Sequence, residues 1–235
     1  TGLKEDLVFS ALHPHQGMGF GRGEGWSIDA VNAVYAFESP LARQRWRPWY
    51  DLILDAVERG QSSCNGIIHA QVQDQGFNGM FRQKQNTEQV IVENALIGMR
   101  ECVYRDVDPV RATRIDAILR ASYFHTISNT GWSVVMRGPF ARLAVGPIDP
   151  DAPLFCNNVP PEGQANWRDN NQSWSTLANG YRATGNAMFL RRATEMAESG
   201  PSVAELRHAL LFAEYPNWRN QAGLLALLSE LLQQP

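Results

Sequence analysis

Residues 171–197 read NQSWSTLANGYRATGNAMFLRRATEMA, and the spacing predicts two helices joined by a tight turn. Trp174, Leu177, Ala178 and Tyr181 recur every three or four residues, which lines them along one helical face. Gly185-Asn186 ends that helix, since glycine accepts turn conformations and asparagine caps a new helix start. Phe189, Leu190, Ala193, Met196 and Ala197 then resume the helical spacing. The unit is a helical hairpin, and similar units recur on both sides of it.

Upstream, an apolar face runs from about Trp26 to Phe37 through Ile28, Val31, Val34 and Tyr35. Ser39-Pro40 is a cap followed by a residue favoured at the first helical position, so a second helix begins there. Its face is Trp49, Leu52, Ile53, Ala56 and Val57, and Gly60 ends it. A third helix starts near Asn86 or Thr87, where Asn86 and Gln89 fit a capping box, and carries Val92, Ala95, Leu96, Met99 and Val103. Asp108-Pro109 opens a fourth, with Ile115, Ile118, Leu119 and Phe124, ending near His125. Downstream, Ser202 and Glu205 box a seventh with Leu206, Ala209, Leu210 and Ala213, and an eighth after Asn217 is leucine-rich from Leu224 to Leu232. Between the fourth and fifth, residues 131–148 read GWSVVMRGPFARLAVGPI, two short apolar runs about Gly138-Pro139, which predicts a β-hairpin.

The fold class is therefore all-α, a single domain over 1–235 built from helical hairpins with one small β insertion. The links alternate: tight at Phe37 to Pro40, Tyr104 to Pro109 and Thr184 to Asn186, long at residues 1–25, 61–86 and 128–171. Only Ser199 to Pro201 joins the last two hairpins, which departs from the alternation. Side-by-side hairpins would send all long links to one end. Loops beyond about 12–15 residues are uncommon unless functional or disordered. These are rich in Trp, Phe, Asn, Arg and Gln, a composition unlike disorder.

The residues at 171–197 resemble a hairpin of the (α/α) toroid, the fold of six-hairpin glycoside hydrolases and several polysaccharide lyases. In such hairpins an aromatic opens the inner helix, TGN or TGD makes the turn, and FLxxA starts the outer helix. Arg22-Gly23-Glu24-Gly25-Trp26-Ser27-Ile28-Asp29-Ala30 resembles an inner-helix start of the same families. A closed ring takes about six hairpins and four are counted, so the resemblance implies a partial toroid or part of a larger one. It also implies a substrate funnel at the N-terminal ends of the inner helices, the end that carries the long loops.

Two groups of residues suit a sugar site, which needs flat aromatic platforms edged by polar groups. Arg22, Glu24 and Trp26 form one, with Glu24 as candidate general acid; equally, Glu24 is placed to favour its helix N-terminus and pair with Arg22. Trp167, Arg168, Asp169, Asn170 and Trp174 form the other, with Asp169 as second candidate acid or base; equally, Asp169 caps a helix and Trp174 enters the core. Asp74 and Arg82 in the second long loop are further binding candidates, with a tight turn at Gly76-Phe77-Asn78-Gly79 as the structural alternative. The reading is a glycoside hydrolase or polysaccharide lyase acting on a polysaccharide or oligosaccharide. The alternative from another class is a non-catalytic helical-repeat scaffold that binds protein or glycan through the same loops.

Other classes have little support. A net charge of −3 without a Lys/Arg cluster leaves no footprint for nucleic acid. No apolar run approaches the roughly 20 residues of a membrane span. His13 and His15 have no further ligand placed to complete a metal set, and neither GxSxG, HExxH nor a P-loop occurs. Gly17-Met-Gly19-Phe-Gly21-Arg-Gly23 follows no strand and is not a nucleotide loop. No cofactor or metal is expected. Cys64, Cys102 and Cys156 lack CxxC spacing and read as buried small hydrophobes, with room for one disulfide. The start at Thr1 suggests a processed or truncated chain, so location stays open, with a lean to the periplasm or extracellular space.

Overall fold

The computed structural model of the protein describes residues 21–63, 66–68, 75–76, 81–128, 142–147, 149, 152, 179–181, 183–189 and 191. Most of them are helical. In chain order the elements are α1 (Arg22–Phe37), α2 (Pro40–Gly60), β1 (Gln75–Gly76), β2 (Phe81–Gln85), α3 (Asn86–Met99), a π-helical extension of α3 (Arg100–Tyr104), α4 (Pro109–Ser128) and β3 (Arg142–Pro147). Residues 179–181, 183–184, 188–189 and 191 are also helical, on both sides of the turn at Gly185.

The tight links form as their residue types require. The Ser39 hydroxyl accepts from the Ala42 N–H at the start of α2. The Asp108 carboxylate accepts from the Arg111 N–H at the start of α4. Gly185 has φ +68, the left-handed region that glycine tolerates best, and the Asn186 side chain accepts from the Met188 N–H.

The hairpins lie side by side, α1 against α3 and α2 against α4. Arg22 reaches Glu88 at 3.6 Å, Gly25 faces Ile91 and Val92, and the Asn32 side chain donates to the Ala95 carbonyl at 2.9 Å. These pairings ascend together, so α1 and α3 are parallel. In the second layer Arg47 pairs with Asp108 at 3.3 Å, Arg111 with Asp51 at 2.9 Å, and Arg114 with Asp55 and Glu58 at 2.6 Å each. Gln61 donates to the Ile118 carbonyl at 2.8 Å. Thus α2 and α4 are parallel as well. Asn179 donates to Asn94 at 2.9 Å, which sets the next helical stretch beside α3.

Between the layers lie Ile28 and Tyr35 of α1, Tyr50, Ile53, Leu54 and Val57 of α2, Val92, Leu96 and Met99 of α3, and Ile115, Leu119 and Tyr123 of α4. Full burial of such side chains stabilises by about 1.5–3 kcal/mol each. Phe189 joins this core and meets Tyr123 edge to face at 6.1 Å.

Several expectations are corrected. Helix α1 begins at Arg22, so Arg22 and Glu24 lie inside its first turn. Its buried stripe is Gly25, Ile28, Asn32 and Tyr35, and Val34 is exposed, because small Gly25 and amide-bearing Asn32 let α3 approach on that side. Leu52 is likewise exposed. Gly60 ends α2 as expected, and Gln61 leaves it with extended backbone at φ −78. Strand is not confined to 131–148: β1, β2 and β3 form one antiparallel sheet, with Phe81 opposite Pro147 and Gln85 opposite Arg142. A register shift falls between Arg82 and Gln83. The first half of the expected hairpin, the seventh and eighth helices, Cys64 and Cys156 lie outside the described residues. Cys102 is exposed rather than buried. Among the described residues no helix is long and apolar enough to cross a membrane.

Candidate functional site

Because the described hairpins are parallel, the starts of α1 and α3, which follow two of the long links, share one end. The starts of α1 and α3 meet there through Arg22 and Glu88. The β2–β3 pairing joins the link before α3 to the link after α4 at the same end.

At that end Glu24 and Glu88 hold the same place in the repeat, each the third residue of its helix. A β-carbon on Gly21 would lie 3.2 Å from Glu24 Oε2 and 3.9 Å from Glu88 Oε1. Two carboxylates thus face one point in front of two helix N-termini, whose partial positive charge favours them. The Gly21 N–H donates to Glu24 Oε2 at 2.8 Å, which satisfies an otherwise unpaired backbone donor. Glu88 is nearly buried beside the half-exposed Arg22. Trp26 lies one turn along the helix from Arg22 and is 53% exposed, so its indole is available to a flat ligand.

A buried polar network braces this end. Gln89 accepts from the Ile68 N–H at 3.1 Å and donates to the Ser122 hydroxyl at 2.7 Å and to Glu93 at 3.3 Å. The Ser122 hydroxyl donates in turn to Glu93. These bonds tie the first two turns of α3 to α4 and to the link at Ile68, and so hold Glu88 in place. Burial, with the Glu93 carboxylate nearby, pushes the Tyr123 phenol well above its ordinary range.

Of the expected site residues, the structure describes Arg22, Glu24 and Trp26, all in the first two turns of α1, where Arg22 pairs with Glu88 and Glu24 with the Gly21 N–H. Arg82 is described as a backbone position in β2, paired with Gln75 and Gly146. Asp74, Trp167, Arg168, Asp169, Asn170 and Trp174 lie outside the described residues. Among the described residues no three His, Cys, Asp or Glu side chains group as a metal site. Sequence reasoning missed Glu88. Its signal was positional: NTE and RGE place glutamate third in two helices that follow long links.

No protein-family model, curated protein sequence or solved structure matches this chain.

Proposed function

We propose that this chain is a carbohydrate-active domain, its hairpins arranged as an (α/α) toroid or partial toroid, that cleaves a polysaccharide or oligosaccharide at the long-loop end. The observation that carries the reading is the convergence of Glu24 and Glu88 beside Arg22 and an exposed Trp26. Glycoside hydrolysis uses two carboxyl groups roughly 5–10 Å apart, one as acid and one as base or nucleophile. The two oxygens can be no farther apart than their distances to the Gly21 position laid end to end, which keeps them below the upper limit of that range.

In this reading Glu24 and Glu88 share the acid and base roles, Trp26 is a stacking platform, and Arg22 binds at the rim. The group around Asp169 comes from the third long link. The Asn179–Asn94 bond, which sets residues 179–181 beside α3, supports placing that group near this end. Trp167 and Trp174 would then add platforms, with Asp169 a further acid and Arg168, Asn170, Asp74 and Arg82 binding polar substituents.

The test is incubation of the whole chain with a panel of polysaccharides and oligosaccharides, reading reducing ends and unsaturated sugar separately. New reducing ends without unsaturation support the hydrolase. Unsaturation would make it a lyase. Binding without turnover would turn the reading to a scaffold, and neither binding nor turnover would end it.

A further inference from the structure

Away from the loop end, a cavity of about 390 Å³ opens where the end of α3, the middle of α4 and the helical residues Asn179 and Ala183 meet. Its size falls in the range of small-molecule sites. Ile97, Leu119 and Ala183 supply apolar wall. The remaining lining is polar, and most of it is already paired. Arg100 makes a two-pronged bond to Asp116 at 2.6 and 3.2 Å, and its third nitrogen pairs with Glu101. Those contacts raise the Arg100 pKa, chiefly through the hydrogen bond to Asp116, and fix its charge.

Arg120, one helical turn beyond Asp116 on the same wall, has neither ion pair nor hydrogen bond among the described residues. Asn179 donates to Asn94, and its own carbonyl oxygen is left facing no donor among the described residues. Among the described residues the unmatched groups are thus one cation and one neutral acceptor above an apolar wall.

The backbone offers a second observation. The Arg105 N–H bonds the Arg100 carbonyl at 2.9 Å, a π-turn that widens the helix where Arg100 and Glu101 both face the cavity. Such turns are rare and are frequent at functional sites.

We propose that this cavity is a second ligand site, for a small organic monocarboxylate with a compact aliphatic body. The carboxylate pairs with Arg120 and the hydrocarbon covers Ile97, Leu119 and Ala183. A dicarboxylate is disfavoured, because Glu101 and Asp116 meet any second negative charge.

The experiment is calorimetric titration of the whole chain with cyclohexanecarboxylate and with the neutral cyclohexanecarboxamide. The amide has the same shape without the charge. The acid should bind roughly tenfold tighter or better, the usual size of a charge-assisted hydrogen bond. Arg120→Ala should erase that preference, Arg120→Lys should keep part of it, and Glu24→Gln should leave it unchanged, which separates this site from the glycan reading. Arg120 is on the surface, so its removal leaves the fold intact by circular dichroism. No binding of the acid, equal binding of acid and amide, or undiminished binding to Arg120→Ala would overturn the proposal.

Discussion

Glu24 and Glu88 stand third in two parallel helices, and both carboxylates face Gly21. Neither is idle in the folded chain, since Glu24 caps the Gly21 N–H and Glu88 pairs with Arg22. A pair held by its own helix ends arrives at a substrate already oriented, which is what acid–base chemistry needs.

If the pair acts on a glycan, Glu24→Gln and Glu88→Gln should each lower turnover by about 10²–10⁴-fold, the contribution of a positioned acid or base. Both amides still hydrogen-bond, so melting temperatures should change little. Trp26→Ala should raise KM more than it lowers kcat. Steady-state kinetics on any substrate found in the panel separates these effects, and an unchanged kcat in both Gln variants removes the pair from the mechanism.

Glycines in one helix should respond in opposite directions. A β-carbon at Gly25 would sit 2.7 Å from Ile91 Cγ2 and 3.3 Å from the α3 backbone. Gly25→Ala should therefore push α1 and α3 apart, at about 1–3 kcal/mol. At Gly23 nothing lies within 4 Å. Gly23→Ala should be neutral or stabilise by up to about 1 kcal/mol through helix propensity. Urea melts of the two variants decide it.

Gly185→Ala tests the turn between the last two described helical stretches. With φ +68 and open space around it, the penalty is conformational and not steric, about 1–2 kcal/mol. Gly185→Asn should lose less than Gly185→Ala, since asparagine enters the left-handed region more readily. Equal melts for the two variants would remove the conformational account.

Asp108 makes stability depend on acid. Its carboxyl is held below the ordinary aspartate range, first by the Arg111 N–H and then by the Arg111 side chain. A depressed folded-state pKa contributes stability that is complete above the ordinary value, about 4, and is lost as pH falls through the lowered one. Asparagine keeps the cap and loses the charge. The melting-temperature gap between the wild type and Asp108→Asn should be widest near neutrality and close as pH falls through the lowered pKa. A gap that stays constant with pH would refute the assignment.

What the sequence revealed was what neighbours along the chain decide. Ser39-Pro40, Asp108-Pro109 and Gly185-Asn186 are local punctuation, and each acts as its chemistry requires. The stripe from Val92 to Val103 lies in the core because a run of that period has one apolar side. The exposed Val34 was not legible, since which side of α1 turns inward depends on Gly25 and Asn32 meeting α3. Strand β2, Phe81–Gln85, has one apolar residue in five and takes its structure from pairing with β3. Glu88 was missed for the same reason: its nearness to Glu24 comes from packing across 63 intervening positions.

The side-by-side packing also sets how freely the loops can change. Bringing Arg22 to Glu88 closes a loop of more than 60 residues, and the entropy of closing a loop grows only as the logarithm of its length. Doubling a long link would add about 0.6 kcal/mol to the folding cost. The same increase is compensated by less than one well-buried side chain. The end that carries the candidate site can therefore vary in length and composition almost independently of the frame that presents it, while the tight turns opposite, each fixed by one cap or one glycine, cannot.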